Sequence, residues 1–87
     1  MKDFVLEETI KTPKIVFKSK SGLFEISGKS IPENSAQFFD PVIKWIEEYI
    51  TDPAPNTTLI IKLEYFNTSS SKYIVEIFRK FEILFKR

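Results

Sequence analysis

The sequence predicts a domain of the α+β or α/β class. Its mixed four-stranded sheet has antiparallel strands on the N-terminal side, then a parallel β-α-β unit, with helices packed on the sheet. Three observations carry this. Short β-branched and aromatic runs separated by turn chemistry fill the chain up to Ser27. A stretch with apolar residues at helical spacing then lies between two strand-like runs. After Phe66 the apolar spacing changes from a strand period to a helical one, across a run of small polar residues.

Composition supports a folded core. Eighty-seven residues make a single domain, residues 1–87. The 43% hydrophobic and 15% aromatic content exceeds what disordered chains carry, and nine phenylalanines supply large buried areas from few residues. The chain has no cysteine and no histidine, which removes disulfides, zinc–thiolate sites, the usual general base and the commonest metal ligand. No cofactor is expected. Thirteen basic and twelve acidic residues are well mixed and leave a net charge of +1, so no concentrated basic surface for nucleic acid is visible. No apolar run is long enough to span a membrane, and Met1-Lys2-Asp3 does not open a signal peptide. A cytoplasmic protein, monomeric or weakly dimeric, is expected.

The elements follow in order. Phe4 to Ile10 reads as a short edge strand, closed by Pro13. Lys14 to Lys18 and Leu23 to Ser27 read as a hairpin, with Ser21-Gly22 supplying the turn. Gly28 to Pro32 reads as a loop. Asn34 or Ser35 suits a helix N-cap, and Gln37 stands three after Asn34, as in a capping box. Phe39, Val42, Ile43, Ile46, Tyr49 and Ile50 then follow at helical spacing. Pro41 either interrupts that helix or starts it behind an Asp40 cap, and one helix with an irregular first turn is the reading adopted. Asp52-Pro53-Ala54-Pro55-Asn56 stops it.

Leu59 to Phe66 reads as a buried strand, parallel to the third strand and joined to it right-handedly through the helix. Asn67 to Ser71 is a loop of small polar residues. From Lys72 onward Ile74, Ile77, Phe78, Phe81 and Phe85 line one face of a closing helix. Glu76 with Lys80 and Glu82 with Lys86 are i, i+4 pairs that support it.

The hydroxyl run is the candidate site. A helix start presents unpaired N–H groups and partial positive charge. Hydroxyls there act as caps, and a phosphorylated one would place its anion in a favourable field. On residue types alone, a cap with a solvated loop and a modification site both remain open.

Several motif-like fragments carry nothing. Gly28-Lys29-Ser30 resembles the end of a phosphate-binding loop, but Leu23 stands where the earlier glycine is required and no helix follows. Glu7-Glu8 and Glu47-Glu48 are adjacent in sequence, so their side chains diverge rather than converge as an acid/base pair. Two Asn-X-Thr/Ser patterns, at Asn56 and Asn67, mean little without a secretion signal.

Tyr65-Phe66-Asn67-Thr68-Ser69-Ser70-Ser71-Lys72 resembles the strand-to-helix signature of the SiaC family of regulatory phosphoproteins. Ile31-Pro32-Glu33-Asn34-Ser35-Ala36 with Phe39, Pro41 and Trp45 resembles that family's first helix, and Thr12-Pro13-Lys14-Ile15 its approach to the second strand. The resemblance spans almost the whole chain. It implies a STAS-like fold, related to anti-sigma-factor antagonists, that continues with one more strand and helix. A chain lacking these would leave one sheet edge open to pair with another chain. Whether the chain is naturally short or trimmed stays open.

The resemblance also implies a function. The family's phospho-acceptor threonine maps onto Thr68, with Ser69, Ser70 and Ser71 as competing acceptors. A Ser/Thr kinase would add the phosphate and a PP2C-type phosphatase would remove it. The unphosphorylated form would bind a downstream target such as a diguanylate cyclase, linking the protein to cyclic di-GMP signalling and biofilm control. Phe66, Asn67, Thr68, Ser69, Ser70, Lys72 and Tyr73 would form the partner-binding surface, without any catalytic or metal role. The alternative reading is a STAS-like module holding a small ligand, a lipid or a nucleotide, against the sheet. An enzyme is disfavoured by the missing histidine and cysteine.

Overall fold

The structure is a computed structural model that describes residues 1–86. Its elements are β1 (Phe4–Leu6), β2 (Lys14–Lys18), β3 (Leu23–Ser30), α1 (Ser35–Tyr49), β4 (Thr58–Phe66) and α2 (Thr68–Phe85). They form a four-stranded sheet in the order β1-β2-β3-β4. β1 and β2 pair antiparallel, β2 and β3 pair antiparallel, and β3 and β4 pair parallel. The mixed sheet read from the sequence is therefore present, including the parallel unit around α1.

Alternation along the strands decides where the core lies. Ile15 and Phe17 of β2 and Phe24 and Ile26 of β3 point to one face and are buried. Both helices cover that face: Phe39, Val42, Trp45, Ile46 and Tyr49 of α1 join Ile77 and Phe81 of α2 in a single cluster with the strand residues. Phe24 is at its centre, edge-on to Trp45, Tyr49 and Phe81 at 5.5, 4.6 and 5.2 Å between ring centroids. Edge-to-face rings add to the area term, at about 0.5–1.5 kcal/mol per pair. The opposite sheet face, with Lys14, Lys18 and Lys62, is open to solvent.

Polar tips of core aromatics tie down the connections. Trp45 Nε1 donates to the Lys2 carbonyl at 3.1 Å, which holds the N-terminal segment against α1. The Tyr49 hydroxyl accepts from the Ala54 N–H at 3.1 Å and bonds Thr57 Oγ1 at 2.8 Å, so it organises the turn from α1 to β4. Gly22, at φ 71°, closes the β2–β3 hairpin where any Cβ would lie 1.9 Å from the Asn56 carbonyl oxygen. Glycine alone satisfies both the backbone angle and the close approach.

Three boundaries and one burial expectation differ from those read in the sequence. β1 ends at Leu6 rather than Ile10, because the following residues turn on the Thr9 hydroxyl, which accepts from the N–H groups of Lys11 and Thr12. β3 continues through Ser30 where a loop was expected: Gly28, at φ 104°, allows a register shift after which Lys29 and Ser30 resume pairing with Tyr65 and Phe66. α1, by contrast, follows the reading adopted: it begins at Ser35 behind an Asn34 cap and runs as one helix with the exposed Pro41 inside it, so the alternative Asp40 cap is not used. α2 begins at Thr68, not Lys72, so the hydroxyl run lies in its first turn. Among the described residues β4 has a strand on one side only, and its side chains are half-buried or exposed rather than buried. On the apolar stripe of α2, Phe78 and Phe85 are 51% and 56% exposed.

Candidate functional site

The parallel strands β3 and β4 end together at Ser30 and Phe66, and the N-termini of α1 and α2 meet beyond them. The Ser30 carbonyl accepts the Asn67 N–H at 2.9 Å, which turns the chain out of β4. Asn67 is then the N-cap of α2. Its Oδ1 accepts the Ser70 N–H at 2.9 Å, and its Nδ2 donates to the Pro32 carbonyl at 3.4 Å. One side chain thus caps a helix and anchors the preceding loop to it.

The four hydroxyls that follow occupy different environments. Ser70 is fully buried: the Ser30 hydroxyl donates to its Oγ at 2.9 Å, and its own hydroxyl donates to the Ser30 carbonyl at 3.1 Å. Ser69 Oγ donates to Asn67 Oδ1 at 3.2 Å and lies 2.7 Å from Ser35 Oγ. With its proton committed to Asn67, Ser69 accepts from Ser35, which is itself buried at the start of α1. The Ser71 hydroxyl turns back onto the Thr68 carbonyl at 2.6 Å. Thr68 is exposed, and its hydroxyl makes no hydrogen bond to any of the described residues.

Two orphan donors accompany that free hydroxyl. The N–H groups of Thr68 and Ser69 precede the first capped amide of α2, and neither has a protein acceptor among the described residues. They are half of the unpaired donors that a helix start offers an anion. Lys72 follows one turn later and is exposed, with Nζ 5.2 Å from the Tyr73 ring centroid. Tyr73 is half-buried and stacks on Phe39 at 5.2 Å, so its ring is packed while its rim is reachable. Phe66 is 47% exposed and stands at the end of β4.

Of the residues predicted for the site, Phe66, Thr68, Ser69 and Lys72 are therefore exposed together, with Asn67 and Tyr73 half-buried beside them. Ser70 departs from the expectation. Its side chain is part of the interior, reached by neither a partner nor a kinase in this conformation, because Ser30 needs it to satisfy a buried hydroxyl. Sequence reasoning missed Ser30 and Ser35, the two residues that hold the hydroxyl turn from outside it. Ser35 carried a signal as a residue at a helix start; Ser30, in the middle of an apparent loop, carried none.

Beside Lys72 and Tyr73 a groove of about 600 Å³ runs between the two helices, lined by charges of both signs including Asp40, Lys44, Glu76 and Arg79. Among the described residues no three or more Asp or Glu side chains cluster as metal ligands, and no helix is long and apolar enough to cross a membrane.

Comparison with known proteins places this arrangement. The chain is 36% identical over 77 residues to an uncharacterised protein of Pseudomonas aeruginosa strain UCBPP-PA14, covering 88% of this chain and 61% of that relative. It therefore spans about three-fifths of that relative's length. The crystal structure of apo-SiaC from Pseudomonas aeruginosa superposes with a TM-score of 0.92 at 34% identity, over 99% of this chain and 71% of that one. SiaC in a crystal structure with the diguanylate cyclase SiaD, whose activator it is, superposes with a TM-score of 0.89 at 33% identity, over 97% of this chain and 69% of that one. The sequence model of the SiaC family of regulatory phosphoproteins matches residues 6–87. With the family model matching residues 6–87 and the fold matching that of SiaC, the chain belongs to the SiaC family of regulatory phosphoproteins.

Proposed function

We propose that this protein is a non-catalytic cytoplasmic switch in a partner-switching pathway, phosphorylated on Thr68 by a Ser/Thr kinase and restored by a PP2C-type phosphatase. Its unphosphorylated form binds and regulates a downstream protein, a diguanylate cyclase by analogy with the complex of SiaC and SiaD. The observation that carries the choice of Thr68 is the inequality of the four hydroxyls. Ser70 is buried, Ser69 and Ser71 are spent on internal hydrogen bonds, and Thr68 alone is exposed with its hydroxyl free of protein partners.

The chemistry suits a switch that leaves the fold intact. Phosphate adds about −1.5 to −2 charges and three acceptor oxygens. At Thr68 the helix dipole and the two orphan N–H groups meet that charge, and Lys72 is one turn away. A partner that covers the neutral hydroxyl in a dry contact would meet an anion it cannot solvate. A hundredfold loss of affinity requires only about 2.7 kcal/mol, which one buried unpaired charge supplies.

The test is intact-mass analysis after incubation with the cognate kinase. Wild type should gain one phosphate and Thr68→Ala none, with circular dichroism showing the same fold for both. Phosphate appearing on Thr68→Ala as readily as on wild type would sink the assignment. Binding of the downstream protein to Thr68→Asp should be weaker than to wild type, and equal binding would overturn the partner-switching half.

A further inference from the structure

Lys72 has no ion partner among the described residues. Two carboxylates share its groove, Asp40 of α1 and Glu76 of α2, yet neither holds it. Glu76 pairs with Lys80 instead. The Lys72 ammonium rests over the ring of Tyr73, 5.2 Å from its centroid, and that ring stacks on Phe39 of α1. Four residues before Lys72, on the same helix, stands the exposed Thr68. Building on the assignment of Thr68 as the phospho-acceptor, we propose that Lys72 is a two-position counter-ion. It lies on Tyr73 in the unmodified protein and moves to the phosphate when Thr68 is phosphorylated.

Spacing and sign both favour the transfer. Side chains at i and i+4 stand on one helix face, and an anion N-terminal to a lysine is the better order of such a pair. A phosphate forms a charge-assisted hydrogen bond with an ammonium, a stronger contact than an exposed cation–π one. Lys72 breaks no salt bridge to make it. The other charges near this turn do not compete. Glu33, next to the Pro32 carbonyl that Asn67 contacts, is paired with Lys11, and Lys80 is held by Glu47 and Glu76. Lys44 and Arg79 line the same groove, but they lie about 14 and 16 Å down their helices from Ser35 and Thr68. Phosphorylation then changes the surface in two places. It adds charge at Thr68 and takes a cation off the half-buried Tyr73, and a downstream protein seated on this face would meet both changes.

Phosphothreonine placed at position 68 by an expanded genetic code gives the modified protein without a kinase, so the result stands apart from which hydroxyl a kinase selects. Phosphorus NMR titration should place the second ionisation of the phosphate about 0.3 pH units lower in wild type than in Lys72→Met, because the ammonium favours the dianion. Lys72→Arg should restore the wild-type value, and added salt should shrink the difference. The Tyr73 ring resonances should shift between unmodified and phosphorylated wild type, and Lys72→Met should lose most of that shift. Thermal melts confirm that each variant is folded. Equal ionisation in wild type and Lys72→Met would show that Lys72 does not hold the phosphate. Ring signals that move as far without Lys72 as with it would show that Lys72 does not carry the change to Tyr73. Either result overturns the proposal. Phosphate found on another hydroxyl after kinase treatment overturns the choice of Thr68 itself, and with it the signalling role of this counter-ion.

Discussion

The hydroxyl of Ser30 donates to Ser70 Oγ across 2.9 Å, and neither side chain reaches solvent. Ser70 answers by donating to the Ser30 carbonyl at 3.1 Å, so the end of β3 and the first turn of α2 are cross-linked by a reciprocal pair. The orientation of the Thr68 turn depends on that link, because Ser70 faces inward only while Ser30 receives it.

Ser70→Ala should therefore destabilise the domain by about 1–3 kcal/mol, as it leaves the Ser30 hydroxyl buried without a partner. The double variant Ser30→Ala/Ser70→Ala should cost less than the sum of the single changes, since it also removes the Ser30 hydroxyl that Ser70→Ala alone leaves without an acceptor. Urea unfolding of the four proteins in the cycle measures this, and strict additivity would show that the pair is not coupled.

Asn67→Ala should cost about 1 kcal/mol, the usual value for a lost N-cap acceptor. Asn67→Asp should retain most of the stability, because its carboxylate still accepts the Ser70 N–H and adds charge at the favourable helix end. Chemical denaturation midpoints distinguish the two. Equal loss in both would mean that the Asn67 contact with the Pro32 carbonyl, which a carboxylate cannot make, matters more than the cap.

Thr68→Asp should leave stability unchanged or raise it by about 0.3–1 kcal/mol, from the anion at the start of α2. Thr68→Lys should lower it by a similar amount. Both effects should shrink with added salt. Thermal melts at low and high ionic strength give the comparison, and a large destabilisation by Asp would contradict the exposed placement of the side chain.

Lys80 bridges the helices, 2.9 Å from Glu47 of α1 and 3.7 Å from Glu76 of α2. The hydrogen bond that Lys80 donates to the Glu47 carboxylate raises its pKa above the usual 10.5, against the opposing effect of desolvation. A raised lysine stabilises the fold fully below its unfolded pKa, and the contribution is lost as pH rises through the folded one. Lys80→Met should thus cost up to about 1 kcal/mol at neutral pH, a figure limited by solvent screening of partly exposed charges. The gap to wild type should close in strongly alkaline solution. A gap that persists there would assign the loss to packing of the side-chain stem instead.

What the sequence determined by itself was the order of elements, the hairpin at Gly22, the apolar stripes of both helices and the mixed sheet. These are written in local periodicity, which survives without knowledge of neighbours. The core faces of β2 and β3 matched their alternation, and that of α1 its helical spacing except that Trp45 joins the core while Ile43 and Ile50 stay half-buried; the Asn34 cap stood where its spacing to Gln37 indicated. Thr68 was legible as a candidate through the motif that surrounds it.

Only the tertiary structure decided which hydroxyl is free. Four consecutive hydroxyl residues look alike in sequence, and their fates depend on Ser30 and Ser35, which lie 40 and 34 positions away from the serines they bond. Hydroxyls have no periodic signature, and a loop of small polar residues is indistinguishable from a capped first turn until the capping acceptor is in place. The burial of β4 was hidden for a related reason: an apolar strand reads the same whatever lies beside it, since burial belongs to the assembly of elements rather than to any one of them.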